Sequence, residues 1–181
     1  MLVLLKAAGI VWKNDADAVF QRLLTFLASP QTAPSDRAMG EWMPTPAAIA
    51  QLELEHPTAC FANNRMLPLA AEAFLQLGRD DDAAEAARIG LLPEQHTHDT
   101  FARGKYHRVL GRVAAKRGNA EEAGGHFGRA LEEVKALPML QLLAARDWKR
   151  SVSASGGAAD AAIDAACAKM GKSRAELASV L

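Results

Sequence analysis

The chain has 181 residues, half of them hydrophobic but only 6% aromatic, and its basic and acidic residues balance to a formal net charge of zero. That length can bury the core of one domain, or of one domain with a small appendage. The alanine-rich, aromatic-poor composition argues against a β-sandwich, since β-branched and aromatic runs of strand length are almost absent. No apolar run approaches the roughly 18 residues of a membrane span, so no membrane association is expected. The two cysteines, Cys60 and Cys167, have no metal-type spacing and read as reduced, buried thiols of a cytoplasmic protein.

In chain order, residues 1–12 and 15–28 read as two helices, with Asn14 or Asp15 as the N-cap between them. The opening MLVLLKAAGIVW has Lys6 in its middle and no basic start, so it reads as a first helix and not as a signal peptide. Residues 29–46 hold four of the eight prolines, which remove backbone donors and disfavour helix. Pro46 suits the first turn of a helix running to about His56. Further helices are expected at about 64–77, 80–91, 99–117, 120–136, 138–151, 158–170 and 173–180. Ser173 with Glu176 makes a capping-box pattern for the last, and SVSASGG (151–157) reads as a flexible linker. Asp80-Asp81-Asp82 complements a helix dipole at its N-terminus; the spaced ligands and turn glycine of a calcium loop are missing.

Three segments are similar to one another: residues 65–92, 105–133 and 139–152. The second pairs Leu110-Gly111 with Ala114, closes a helix at Gly118, and continues with Ala123, Phe127 and Ala130. The first matches as Leu67, Ala70-Ala71, Phe74, Gly78, Ala83, Ala87 and Gly90. The third has Ala144-Ala145 and Trp148, read as core, then a helix with Ala161, Ala165 and Ala168, without the closing glycine. A spacing near 34 residues marks stacked helical hairpins. This pattern resembles the tetratricopeptide repeat family, best in residues 65–133. The resemblance implies an all-α fold of stacked antiparallel hairpins in a short right-handed superhelix. Residues 1–60 would supply N-terminal helices as a cap or divergent hairpins, 61–170 the repeats, and 171–181 a capping helix. Gly118 would reverse the chain in a left-handed conformation, while Gly111 would let two helices approach. Gly124, Gly125 and Gly128 are not explained by the family and mark either tight packing or a soft helix.

The zero net charge hides a segregation. Residues 51–102 carry three basic residues against nine acidic ones, and residues 103–150 carry eleven against five. On a helix, Lys105, Arg108, Arg112 and Lys116 stay within an arc of roughly 80°, with Leu110 and Ala114 directed away from it. Arg146, Lys149 and Arg150 form a second basic cluster. The resemblance implies that the first helices of the repeats line a concave groove, which would set the two clusters side by side as a basic peptide-binding wall. The carboxylate clamp of some family members is not reproduced: its lysine and asparagine places carry Pro68 and Glu72 in the first repeat, and Arg108 and Arg112 in the second. The expected function is a non-enzymatic protein–protein interaction scaffold that binds an acidic or extended peptide. The alternative is a self-associating module whose acidic and basic segments pair between chains as a homo-oligomer. Nucleic acid is disfavoured by the neutral charge and the few aromatics. Within EQHTHD (94–99), His96 and His98 read as a surface loop and Asp99 or Thr100 as an N-cap, with no metal site. His107 and His126 need not lie near that loop. No phosphate-cradling loop, nucleophile elbow or CxxC is present, so no enzyme activity and no cofactor are expected.

Overall fold

A computed structural model of the chain describes residues 43, 45–55, 66–92, 99–152 and 156–178. The expected helices 1–12 and 15–28, and most of the proline-rich stretch, lie outside the described residues, as do Cys60, His96 and His98. Among the described residues there are seven helices and no strand: α1 (Pro46–Glu55), α2 (Met66–Gln76), α3 (Asp80–Gly90), α4 (Thr100–Lys116), α5 (Ala120–Glu133), α6 (Pro138–Ser151) and α7 (Gly156–Lys169). The fold is all-α. No helix among the described residues is long and apolar enough to cross a membrane.

The chain divides into two compact units, Met1–Thr97 and His98–Leu181. In the first, α1, α2 and α3 pack on one another. α2 is buried on nearly every face, through Met66, Leu67, Ala70, Ala71, Ala73, Phe74 and Leu75, as expected of a helix that is apolar all round. Its first-turn amides have no partner inside the helix, and the buried Glu53 of α1 supplies one: the Leu67 N–H donates to Glu53 Oε1 at 2.7 Å. Pro68, also in that turn, has no N–H to satisfy. Asp80, Asp81 and Asp82 open α3, and Arg79 pairs with Asp82 at 2.6 Å while its guanidinium lies 4.6 Å from the Phe74 ring.

In the second unit α4 pairs with α5 and α6 with α7, and α6 also packs against both helices of the preceding hairpin. The turn between α4 and α5 is closed by Gly118 in the expected left-handed conformation. Gly118 has φ +78°; its N–H donates to the Ala115 carbonyl at 3.0 Å, and the Asn119 N–H reaches the Ala114 carbonyl at 3.0 Å. This pair of bonds is a Schellman motif, which satisfies the last helical carbonyls and reverses the chain. Asn119 then caps α5, its side chain accepting from the Glu122 N–H at 3.2 Å. The same paired bonds recur at Gly78 and Gly171.

The second helices of the hairpins bury an identical spacing: Ala83, Ala87 and Gly90; Ala123, Phe127 and Ala130; and Ala159, Ile163 and Ala166. The expected third set was Ala161, Ala165 and Ala168, and these are exposed. The register there is two residues earlier, because Val152, extended and buried, replaces the closing glycine and the connection to α7 differs in length. Trp148 is half-buried, stacked on Phe127 with ring centroids 6.1 Å apart and 14° between planes. A Cβ at Gly124 would stand 3.8 Å from the Trp148 ring, an ordinary contact distance, whereas one at Gly125 or Gly128 would meet nothing within 4 Å. Tight packing is therefore not the reason for those last two. Ser173 makes its capping box, its N–H donating to Glu176 Oε2 at 2.8 Å and its Oγ accepting from the Glu176 N–H at 3.3 Å. Residues 174–178 then run in turns closed by bonds of three-residue span, and not as the α-helix expected there.

Candidate functional site

The basic residues singled out in the sequence fall on two neighbouring helices. Lys105, Arg108, Arg112 and Lys116 lie on α4, and Arg146, Lys149 and Arg150 on α6. Leu110 and Ala114 are buried, while Arg108 and Arg112 of the stripe lie at the edge of the packing against α6. Lys105 lies over the Phe101 ring, 4.3 Å from its centroid, and Lys116 is exposed at the last turn of α4.

Three of the arginines converge on one carboxylate. Asp147, on α6, is only 7% exposed. Arg108 Nε stands 2.9 Å from its Oδ2, an ion-pair contact without hydrogen-bond alignment. Arg112 Nη1 stands 4.0 Å from the same oxygen. Arg146 donates to Oδ1 from Nε at 3.1 Å and from Nη2 at 2.8 Å. One buried negative charge thus holds three guanidinium groups drawn from two helices. Sequence reading named the arginines and passed over Asp147; the only signal was an acid standing inside a basic run.

Lys149 of α6 reaches across to α7. Lys149 donates to Asp160 Oδ1 at 2.8 Å. Arg174, just beyond α7, donates to the same oxygen at 2.7 Å, to the Asp160 carbonyl at 3.0 Å and to Asp164 at 2.6 Å. Hydrogen bonds from Lys149 and Arg174 lower the Asp160 pKa, and the Arg174 bond lowers that of Asp164. A pocket of about 350 Å³ is lined by Arg146, Lys149, Arg150, Arg174 and the buried Ile163. Arg174 carried no signal in the sequence, because only the folded turn brings it back over α7.

Beside the basic face, α4 and α5 bring His107 and His126 together, with Nδ1 atoms 3.3 Å apart. Burial first, then the charges of His126 and Arg129, push the His107 pKa down to about 4. Glu133 opposes this and Arg103 adds to it. Such a contact needs one ring nitrogen to donate and the other to accept, and His107 is held as neutral imidazole. No group of three metal-ligating side chains forms among the described residues. Asp99 caps α4 through the Phe101 N–H at 2.9 Å, and Cys167 is buried and free.

No protein-family model, curated protein or solved structure matches the chain.

Proposed function

We propose that this chain is a non-enzymatic interaction scaffold of tetratricopeptide-like hairpins, curved into a short right-handed superhelix, whose basic face on α4 and α6 receives an acidic or extended peptide. The hairpin array would span residues 61–170, with residues 1–60 and 171–181 as its ends. The observation that carries the reading is the sharing of Asp147 among Arg108, Arg112 and Arg146. The shared carboxylate fixes the positions of the three guanidinium groups, and positioned cations lose less entropy on binding an anion than mobile ones. Complementary charge gives selectivity and a fast encounter more than raw affinity. Fluorescent acidic and neutral peptides titrated against wild type, Arg112→Glu and Arg146→Glu test it. Binding that is acidic-selective and lost on charge reversal is the expected result; equal or absent binding overturns it.

A second reading, self-association through opposite charge, is favoured by the division of the chain. Residues 98–181 hold fourteen basic and nine acidic side chains, and residues 1–97 hold seven and twelve. Light scattering over a range of concentration and salt decides this: a dimer that dissociates as salt rises supports it, and a monomer throughout sinks it.

A further inference from the structure

The pocket on α6 and α7 is lined by Arg146, Lys149, Arg150, Arg174 and Ile163, yet most of its lining surface is apolar. The charged heads are drawn to carboxylates: Asp147 takes Arg146, and Asp160 takes Lys149. Arg174 is held at every nitrogen. Its Nε donates to Asp164 Oδ1 at 2.6 Å, Nη1 to Asp160 Oδ1 at 2.7 Å, and Nη2 to the Asp160 carbonyl at 3.0 Å. Long basic side chains anchored in this way leave their methylene stems as wall, and Ile163, 2% exposed, adds a branched apolar surface. Asp160, Ile163 and Asp164 fall on one face of α7 by helical spacing.

An anion entering this pocket would compete with carboxylates already in place, whereas an apolar group would meet stems and Ile163. The volume of about 350 Å³ lies in the range of ligand sites, about 300–1,000 Å³, and is ample for one large side chain. Arg174 narrows the class. Its three nitrogens are engaged in the guanidinium plane, so it offers the pocket its stem and its planar face. A guanidinium face stacks on aromatic rings, and the two carboxylates that hold its edges keep it in place when a ring covers it.

We propose that this pocket receives an aromatic side chain of the bound peptide, seated against Ile163 and stacked on the Arg174 guanidinium, an inference that rests on the peptide-binding reading above. Arg146, Lys149 and Arg150 belong both to the basic face and to the pocket wall, so a ring seated here sets the neighbouring acidic residues of the peptide over that face. The basic face supplies selectivity for charge, and the ring supplies the anchor, as buried aromatic side chains do at interfaces.

The test uses the full chain and three acidic peptides that differ only in a central phenylalanine, cyclohexylalanine or alanine, followed by fluorescence anisotropy. The phenylalanine peptide is expected to bind about tenfold tighter than the alanine one, from burial of the ring. It should bind about threefold tighter than the cyclohexylalanine one, which has the same carbon skeleton without the π-system. Arg174→Lys keeps the charge and removes the planar face, so it should abolish the preference for phenylalanine over cyclohexylalanine, with circular dichroism confirming that the variant folds. An unchanged preference in that variant, or equal binding of these two peptides to wild type, overturns the aromatic assignment. Equal binding of the phenylalanine and alanine peptides overturns the anchor and leaves the acidic-peptide reading standing. If no peptide binds, that reading falls, and titration with N-acetylphenylalanine amide decides the pocket by itself. Ring-current shifts of the Ile163 methyl resonances would retain it, and their absence would overturn it.

Discussion

His107 shows how a single side chain couples this fold to pH. Its folded pKa of about 4 lies below the ordinary value of 6.5, so the folded state favours neutral imidazole. The stability this confers is present above pH 6.5 and is lost as pH falls towards 4, because the unfolded chain takes up the proton first. At about 1.4 kcal/mol per pH unit, and discounted for the water that reaches the ring, the loss is about 1–2 kcal/mol. Urea titrations at pH 7 and pH 4.5 on wild type and His107→Gln should show a smaller pH dependence in the variant. Asp147 sets a different experiment. Replacing it with asparagine keeps the volume but removes the carboxylate charge that three partly buried guanidinium groups share. A stability loss of about 2–3 kcal/mol is expected, together with tighter binding of acidic peptide. Thermal unfolding and anisotropy on the same variant check both, and loss of stability with unchanged affinity would mark Asp147 as purely structural.

At the scale of elements, the α4–α5 hairpin uses identical residues for opposite ends. Gly104 and Gly111 both face α5. A side chain at Gly104 would drive into Val134, and one at Gly111 would stand 3.0 Å from the Phe127 ring. Gly125 and Gly128 lie on the exposed face of α5 with nothing near them. Gly104→Ala should therefore destabilise by about 1–3 kcal/mol through overpacking. Gly125→Ala and Gly128→Ala should each stabilise by about 0.5–1 kcal/mol through helix propensity alone. Denaturant midpoints of the three variants give the comparison directly, and a loss at Gly125 would show that this face is covered by something. The closing turns were legible in the sequence because a glycine after a helical run has a local reason to be there. Gly104 was missed because its reason is Val134, thirty residues away.

For the whole molecule, the second unit contains its own packed clusters, one around Leu142, Ala145, Ile163 and Ala166, the other around Ala114, Ala123 and Phe127. A fragment of residues 98–181 should therefore fold by itself, with helical circular dichroism and a cooperative thermal transition. A broad, non-cooperative melt would show that it depends on residues 1–97. If it folds, the fragment carries the whole candidate site and an excess of basic charge, so its acidic-peptide binding should weaken steeply as salt is raised.

The sequence by itself determined the seven helices of the described residues, the closing glycines Gly78 and Gly118, the cap at Asp99 and the buried stripe of each second helix through Phe127, since these depend on local conformation and on a periodicity of 3.6 residues. It also marked the basic stripe on α4 and the cluster on α6. Only the tertiary structure decided the two-residue register of α7, the meeting of His107 with His126, and the convergence of Arg108, Arg112 and Arg146 on Asp147. It likewise brought Arg174 back over Asp160. Each of these joins residues on different elements, and the distance between such residues is set by how whole helices pack, which no local run of residues encodes.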